Sequence, residues 1–316
     1  MSNDNFPAGG PTALVLGAAG FIGRHVCRRL ADEGFVVQGL GHGTWDARER
    51  ETYGVKHWLE ADIDLSSLRN LVEGSVPEVI VHCAGGGAVS HSFNAPATDF
   101  ARTVDSTLAM LEFSRQLPMP PRVVLASSAA LYGGQSDGDL SEDATPAPMS
   151  PYGYHKQMAE MLCESYSRFF GLQMRVIRLF SVYGEGLRKQ LLWDAMNKFQ
   201  RGTPSFFGTG DELRDWIHVE DAARLLVLAA THGDVPHGVY NGGHVRASTR
   251  EVLTRLAISA GTSLIPVFSG EVHPGNPARL TASHERAASE LGFRGRIGLE
   301  EGLSRYAAWY LAQGAA

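Results

Sequence analysis

Cysteine is scarce, with only Cys27, Cys83 and Cys163 in 316 residues. Three thiols, far apart and without paired ligand spacing, exclude a disulfide framework and a cysteine-built metal centre; they suit buried thiols in a reducing compartment. No metal is expected. Long apolar runs are missing too: the longest, residues 225–230, falls far short of the roughly 20 residues that span a bilayer. Residues 1–11 are polar and rich in Gly and Pro, with no basic patch ahead of an apolar stretch, so a secretory signal is not expected. A cytoplasmic protein without a membrane partner is the expectation. Blocks of Lys or Arg are also absent. The 34 acidic and 28 basic residues are spread along the chain and leave a charge of −6, which argues against nucleic acid as a partner. An anionic ligand must then be met by single Arg residues and helix N-termini.

What is present is 44% hydrophobic residues, enough for one large core, or one large and one small lobe. β-Branched runs at residues 13–16, 36–40, 78–83, 122–127 and 174–179 predict strands. Between them, residues 22–33, 99–116 and 152–170 carry apolar side chains at helical spacing, with Gly34 and Gly171 where C-terminal caps would fall. This alternation predicts an α/β fold with a Rossmann-type, doubly wound parallel sheet. After Gly184 the regularity breaks into helix signals, a Gly-rich turn at 207–211 and isolated strands at 239–241 and 264–268, which predicts a smaller mixed α/β lobe for substrate. The expected division is residues 1–180 for dinucleotide and 181–316 mainly for substrate, with a segment near 215–245 returning to the first part. Loops at the carboxyl ends of the strands should share one cleft.

Gly17, Ala18, Ala19, Gly20, Phe21, Ile22 and Gly23 follow the first strand and open a helix. Missing side chains there let a pyrophosphate reach backbone donors at the helix N-terminus, so Gly17, Gly20, Phe21, Ile22 and Gly23 are candidate cofactor contacts. Tyr152 and Lys156 lie four apart on a helix and share a face, with Ser128 upstream at a strand end. A tyrosine with its usual pKa of about 10 works as a base near neutrality only if a nearby cation favours its phenolate.

These segments resemble successive signatures of the extended short-chain dehydrogenases, in particular relatives of the UDP-galactose 4-epimerases. The likeness continues through Asp62 and Ile63, through His82, Cys83, Ala84, Gly85 and Gly86, and through residues 178–184 and 214–221. It implies that Ser128, Tyr152 and Lys156 are catalytic and that Arg214 grips a substrate diphosphate, as a planar fork of donors suits. It further implies cofactor contacts from Asp62, Ile63, Ala84, Gly85, Gly86 and Phe180, and substrate contacts from Ser90 and Ser181. His218 and Asp221 read as structural, a buried hydrogen-bonded imidazole and a helix-start carboxylate. Family members pair through helices corresponding to residues 99–116 and 152–170, so a homodimer is expected.

Several positions depart from the family pattern. Gly41 replaces the acidic residue that takes the ribose hydroxyls of NAD, and His42 follows it; NAD is the expected cofactor, with NADP not excluded. Thr103 and Ser181 replace asparagines. His273 stands in place of a second diphosphate-binding arginine, with Arg279 nearby as a substitute. Ala129 and Ala130 occupy the places of the carboxylates that drive water loss in sugar-nucleotide dehydratases, which disfavours elimination. The expected activity is 4-epimerisation of a UDP-hexose or related nucleotide-sugar with bound NAD. The alternatives are an NADPH-dependent nucleotide-4-ketosugar reductase and a non-catalytic dinucleotide-binding relative.

Overall fold

The strand TALVL at Thr12–Leu16 (β1) is buried along its whole length, as a strand covered on both faces must be. Its side chains alternate. Ala13 and Val15 enter one core with Val26 and Leu30, while Leu14 and Leu16 enter another with Leu68, Met110 and Cys163. The computed structural model describes residues 10–72, 75–87, 89–134, 138–233, 236–272 and 276–313. Its elements follow in order: α1 (Phe21–Asp32), β2 (Val36–Gly41), α2 (Ala47–Thr52), β3 (Val55–Glu60), α3 (Leu65–Leu71), β4 (Val79–His82), α4 (Val89–Asn94) and α5 (Pro96–Phe100). A π-helical turn, Ala101–Asp105, leads into α6 (Ser106–Gln116), then β5 (Arg122–Ser128), α7 (Pro151–Phe170), β6 (Met174–Leu179) and β7 (Ser181–Tyr183). The remainder comprises α8 (Gln190–Arg201), β8 (Ser205–Phe206), β9 (Leu213–His218), α9 (Val219–Thr231), β10 (His237–Gly242), β11 (Val245–Ser248), α10 (Thr249–Ser259), β12 (Val267–Phe268), β13 (Arg279–Leu280), α11 (Glu285–Leu291) and α12 (Leu299–Gln313).

Seven parallel strands form the main sheet in the order β10-β6-β5-β4-β1-β2-β3. The chain winds one way from β1 and the other way from β4, so a crevice opens between the carboxyl ends of these two strands. This is the doubly wound α/β architecture expected. β3 was not legible in the sequence, because Lys56, His57 and Glu60 give an edge strand a largely exposed, polar pattern.

Two strands read as isolated turn out otherwise. Residues 239–241 lie within β10, which pairs with β6 at the edge of the main sheet. Of residues 264–268 only Val267 and Phe268 form a strand, pairing with β8; Leu264 N–H is instead taken by the Thr262 hydroxyl at 3.2 Å, and Pro266 lacks a donor. A second sheet is built around β9, with β11 antiparallel along one edge and β13 and β7 parallel along the other. Its core gathers Leu192, Phe199, Trp216, Leu253 and Leu303 from α8, α10, α12 and β9. Among the described residues no helix is long and apolar enough to cross a membrane.

Glu185 joins these parts. Its backbone carbonyl accepts from His25 of α1 (3.2 Å), and its carboxylate accepts from His218 Nε2 (2.8 Å) and Arg305 Nε (2.7 Å). His218 Nδ1 accepts from Glu220 N–H, which places its proton on Nε2. Burial alone would push the Glu185 carboxyl up, but bonds from His218 and Arg305 outweigh it and hold it at about 2 instead of the usual 4.5. A carboxyl depressed in the folded state stabilises above the unfolded value and loses that contribution as pH falls through the folded one. Wild-type protein is therefore expected to lose up to about 3 kcal/mol more stability than Glu185→Gln between pH 5 and pH 2, measured by denaturant midpoints across that window.

Candidate active site

β1 ends in Gly17, whose φ of +78° is open to glycine and whose N–H donates to Leu40 O at 2.7 Å. A Cβ at Gly17 would lie 2.7 Å from Ala84 N, so the loops after β1 and β4 meet backbone to backbone at the switch point. A Cβ at Gly23 would lie 2.1 Å from Gly17 O, so the turn into α1 closes only over glycine. Gly20 caps α1 with no side-chain acceptor, which leaves the first-turn N–H groups to a ligand. That arrangement fits a dinucleotide diphosphate.

These groups line a cavity of about 1040 Å³ that brings most of the sequence candidates together. Gly17, Gly20, Phe21, Ile22, Gly23, His42, Asp62 and Ile63 line it together with Ala84, Gly85, Gly86, Ser128, Tyr152, Lys156, Phe180, Ser181 and Arg214. His42 Nε2 and Asp62 Oδ1 are 2.6 Å apart at the exposed margin. From the loop after Gly184, Leu187, Lys189, Gln190, Leu191 and Leu192 line the cavity, whereas Trp193 does not and meets Tyr310 edge-on at 4.8 Å. Ser90 is not among the lining residues: α4 starts at Val89, which lines the cavity and leaves Ser90 exposed. His273 lies outside the described residues.

α7 starts cleanly because Ser150 accepts from Gly153 N–H (3.1 Å) and Pro151 occupies the first turn. Lys156 is buried, donates to Ala126 O at 2.9 Å and stands 5.8 Å from the centre of the Tyr152 ring. Among the described residues the Tyr152 hydroxyl makes no hydrogen bond. Next to Lys156, burial first and the Lys156 cation second push His82 down to about 3, so His82 adds no second positive charge at neutral pH. Burial pushes the cavity-lining Cys83 thiol up to about 12, against the opposing pull of Lys156, and it stays protonated.

β5 is anchored where it delivers Ser128. Ser127 Oγ donates to Glu160 at 2.5 Å, and Arg178, paired with Ser127 across β5 and β6, donates to both Glu160 oxygens. Arg178 also donates to Tyr132 Oη and Glu142 O, each at 2.8 Å. At the far end Arg214 forms no ion pair with Asp211 or Asp215; it donates to Leu213 O (2.8 Å) and Asn276 Oδ1 (2.5 Å). Burial lowers its pKa, with Glu212 opposing. Arg279 is held by Asp139 at 3.0 Å and is not in the cavity wall. His218 and Asp221 are structural as expected: Asp221 accepts from Arg296 N–H and Ile297 N–H.

Sequence reasoning missed three features. Phe207 is half exposed in the cavity wall, in the turn noted only for its glycines. Gln190, with φ +66°, is the one non-glycine residue in the left-handed region among those described, and its amide donates to Gly87 O at 2.8 Å. Asp99 and His155 form a buried pair at 2.6 Å. No sequence spacing flags the last pair, since the two residues lie 56 apart.

A profile of the NAD dependent epimerase/dehydratase family matches residues 13–243. UDP-glucose 4-epimerase of Azospirillum brasilense is 30% identical over 308 residues, covering 90% of this chain and 88% of that protein. The structure of Thermotoga maritima UDP-glucose 4-epimerase with UDP-glucose superposes with a TM-score of 0.87 at 26% identity, covering 96% of this chain and 99% of that one. The UDP-glucuronic acid 4-epimerase of Bacillus cereus, in complex with UDP-glucuronic acid and NAD, gives 0.85 at 26% identity, with 96% and 99% covered.

Proposed function

The chain belongs to the NAD dependent epimerase/dehydratase family, and from that premise we propose that it is a nucleotide-sugar 4-epimerase acting on a UDP-hexose or a close relative. Its cofactor is NAD, which when bound takes a hydride from C4 and returns it. The observation that carries this reading is the convergence of Ser128, Tyr152 and Lys156 with the uncapped start of α1 in one cavity. Tyr152 takes the proton of the C4 hydroxyl, Ser128 holds the same oxygen, and Lys156 stands beside the Tyr152 ring. Arg214, with no carboxylate partner among the described residues, grips the diphosphate and leaves the sugar free to turn. The 4-keto sugar rotates about that tether, so that the hydride would return to the other face of C4 while Tyr152 gives the proton back to the C4 oxygen. Ala129 and Ala130 follow Ser128, so no carboxylate stands there to eliminate water.

In this reading residues 1–180 together with α9 and β10 hold the dinucleotide, and the remaining second half binds the nucleotide-sugar, with Ser181 and His273 as further contacts. The protein works in the cytoplasm. A homodimer forms through α6 and α7, where Leu108, Tyr154, Met158 and Met161 are exposed and the last three recur at helical spacing. Met158→Lys/Met161→Lys is expected to sediment as a monomer where wild type sediments as a dimer; equal sedimentation would place the contact elsewhere.

The test is to denature purified protein, identify the released dinucleotide, and offer UDP-glucose, UDP-N-acetylglucosamine and UDP-glucuronate without added cofactor. Released NAD and formation of a C4 epimer support the reading. Protein that converts none of the sugars but oxidises NADPH against a 4-keto nucleotide-sugar would make it a reductase, the outcome Gly41 leaves room for.

A further inference from the structure

The first turn of α7 is held by polar contacts made away from the cavity. His155 Nδ1–H donates to Asp99 Oδ2 of α5 at 2.6 Å, with His155 8% and Asp99 1% exposed. Phe100 meets the imidazole edge-on at 5.4 Å. The other carboxylate oxygen, Asp99 Oδ1, is buried and has no hydrogen-bond partner among the described residues. It lies against Gly86: a Cβ built there would stand 1.8 Å from Oδ1 and 3.3 Å from Tyr152 Cδ2. The carboxylate, the loop glycine and the Tyr152 ring therefore meet in a space that only glycine leaves open. Tyr152 N–H donates to the buried Ser92 Oγ of α4 at 3.1 Å, which ties the same turn to the same support.

A buried polar pair with an orphan oxygen stabilises a fold poorly, and two apolar side chains of similar volume usually do as well or better. What the pair adds is direction. We propose that Asp99 and His155 are positioning residues: their bond fixes Tyr152 against the Gly85 to Gly87 loop, so that the hydroxyl keeps one placement relative to the loop through turnover. The proposal rests on Tyr152 as the proton-transfer group of the epimerase reading. Misplacement by an ångström can cost about 100-fold in rate, so the pair acts on kcat while leaving the grip of Arg214 on the diphosphate, and hence KM, almost unchanged.

The experiment combines hydrogen exchange with kinetics on the holoenzyme, comparing wild type, Asp99→Leu/His155→Leu and His155→Asn, in which the amide can stand in for the Nδ1 donor. The apolar double variant should melt no lower than wild type, yet residues 84–93 and 150–158 should exchange faster together while residues 160–170 do not. Its kcat for UDP-glucose should fall about tenfold or more with KM little changed, and His155→Asn should restore most of it. If the double variant does not fold, Asp99→Asn should loosen the same two segments to a smaller degree. Unchanged exchange in both segments with unchanged kcat overturns the proposal. Wild-type protein that epimerises no UDP-sugar, while the two segments still loosen together in the variants, sinks the epimerase reading and supports the positioning role.

Discussion

Tyr152→Phe is expected to lower kcat for epimerisation by about 10²–10⁴-fold, or roughly 3–5 kcal/mol of barrier, without loss of bound NAD. The hydroxyl makes no protein hydrogen bond among the described residues, so its removal orphans no partner and the fold should not notice. KM for the nucleotide-sugar should change little if, as proposed, Arg214 of the cavity wall grips the diphosphate. The measurement is steady-state kinetics with NAD content determined on the same preparation. A Phe variant that keeps wild-type kcat would remove Tyr152 from the chemistry and revive the reading of a non-catalytic dinucleotide binder.

Arg178→Met should cost about 3–5 kcal/mol of stability, because it leaves the Glu160 carboxylate buried without its cation. Four elements lose an anchor at once: Glu160 on α7, Ser127 on β5, Tyr132 and the Glu142 carbonyl all converge on this guanidinium or its partner. Tyr132 in turn donates to Asn241 of β10 at 2.8 Å, so the loss reaches the sheet edge. Urea unfolding of wild type, Arg178→Met and Arg178→Met/Glu160→Leu reads the effect. The double variant should recover much of the loss, since removing both charges relieves the desolvation that removing one leaves behind. A single variant within 1 kcal/mol of wild type, roughly the worth of an exposed pair, would mean that water reaches Glu160.

Local signals made much of this molecule legible in advance. The glycine loop, the Tyr152 to Lys156 spacing and the strand-helix alternation each depend on residues a few positions apart, and each is where it was expected. β3 escaped because edge strands carry polar side chains; residues 239–241, inside the segment expected to return to the first part, read only as an isolated strand because pattern reveals a strand but not its neighbour. Ser90 falls one position outside the cavity wall, since a helix starting at Val89 turns the next residue about 100° away.

The sequence by itself determined the fold class, the family and the candidate proton-transfer group, because periodicity, glycine placement and i to i+4 spacing are properties of short stretches of chain. Only the tertiary structure decided that Arg214 reaches Asn276, that Arg279 is taken by Asp139, and that Asp99 reaches His155 behind the turn that carries Tyr152. Those facts join residues 62, 140 and 56 positions apart. A charge on the chain has no fixed partner until the layers close around it, and burial then decides what the charge can do.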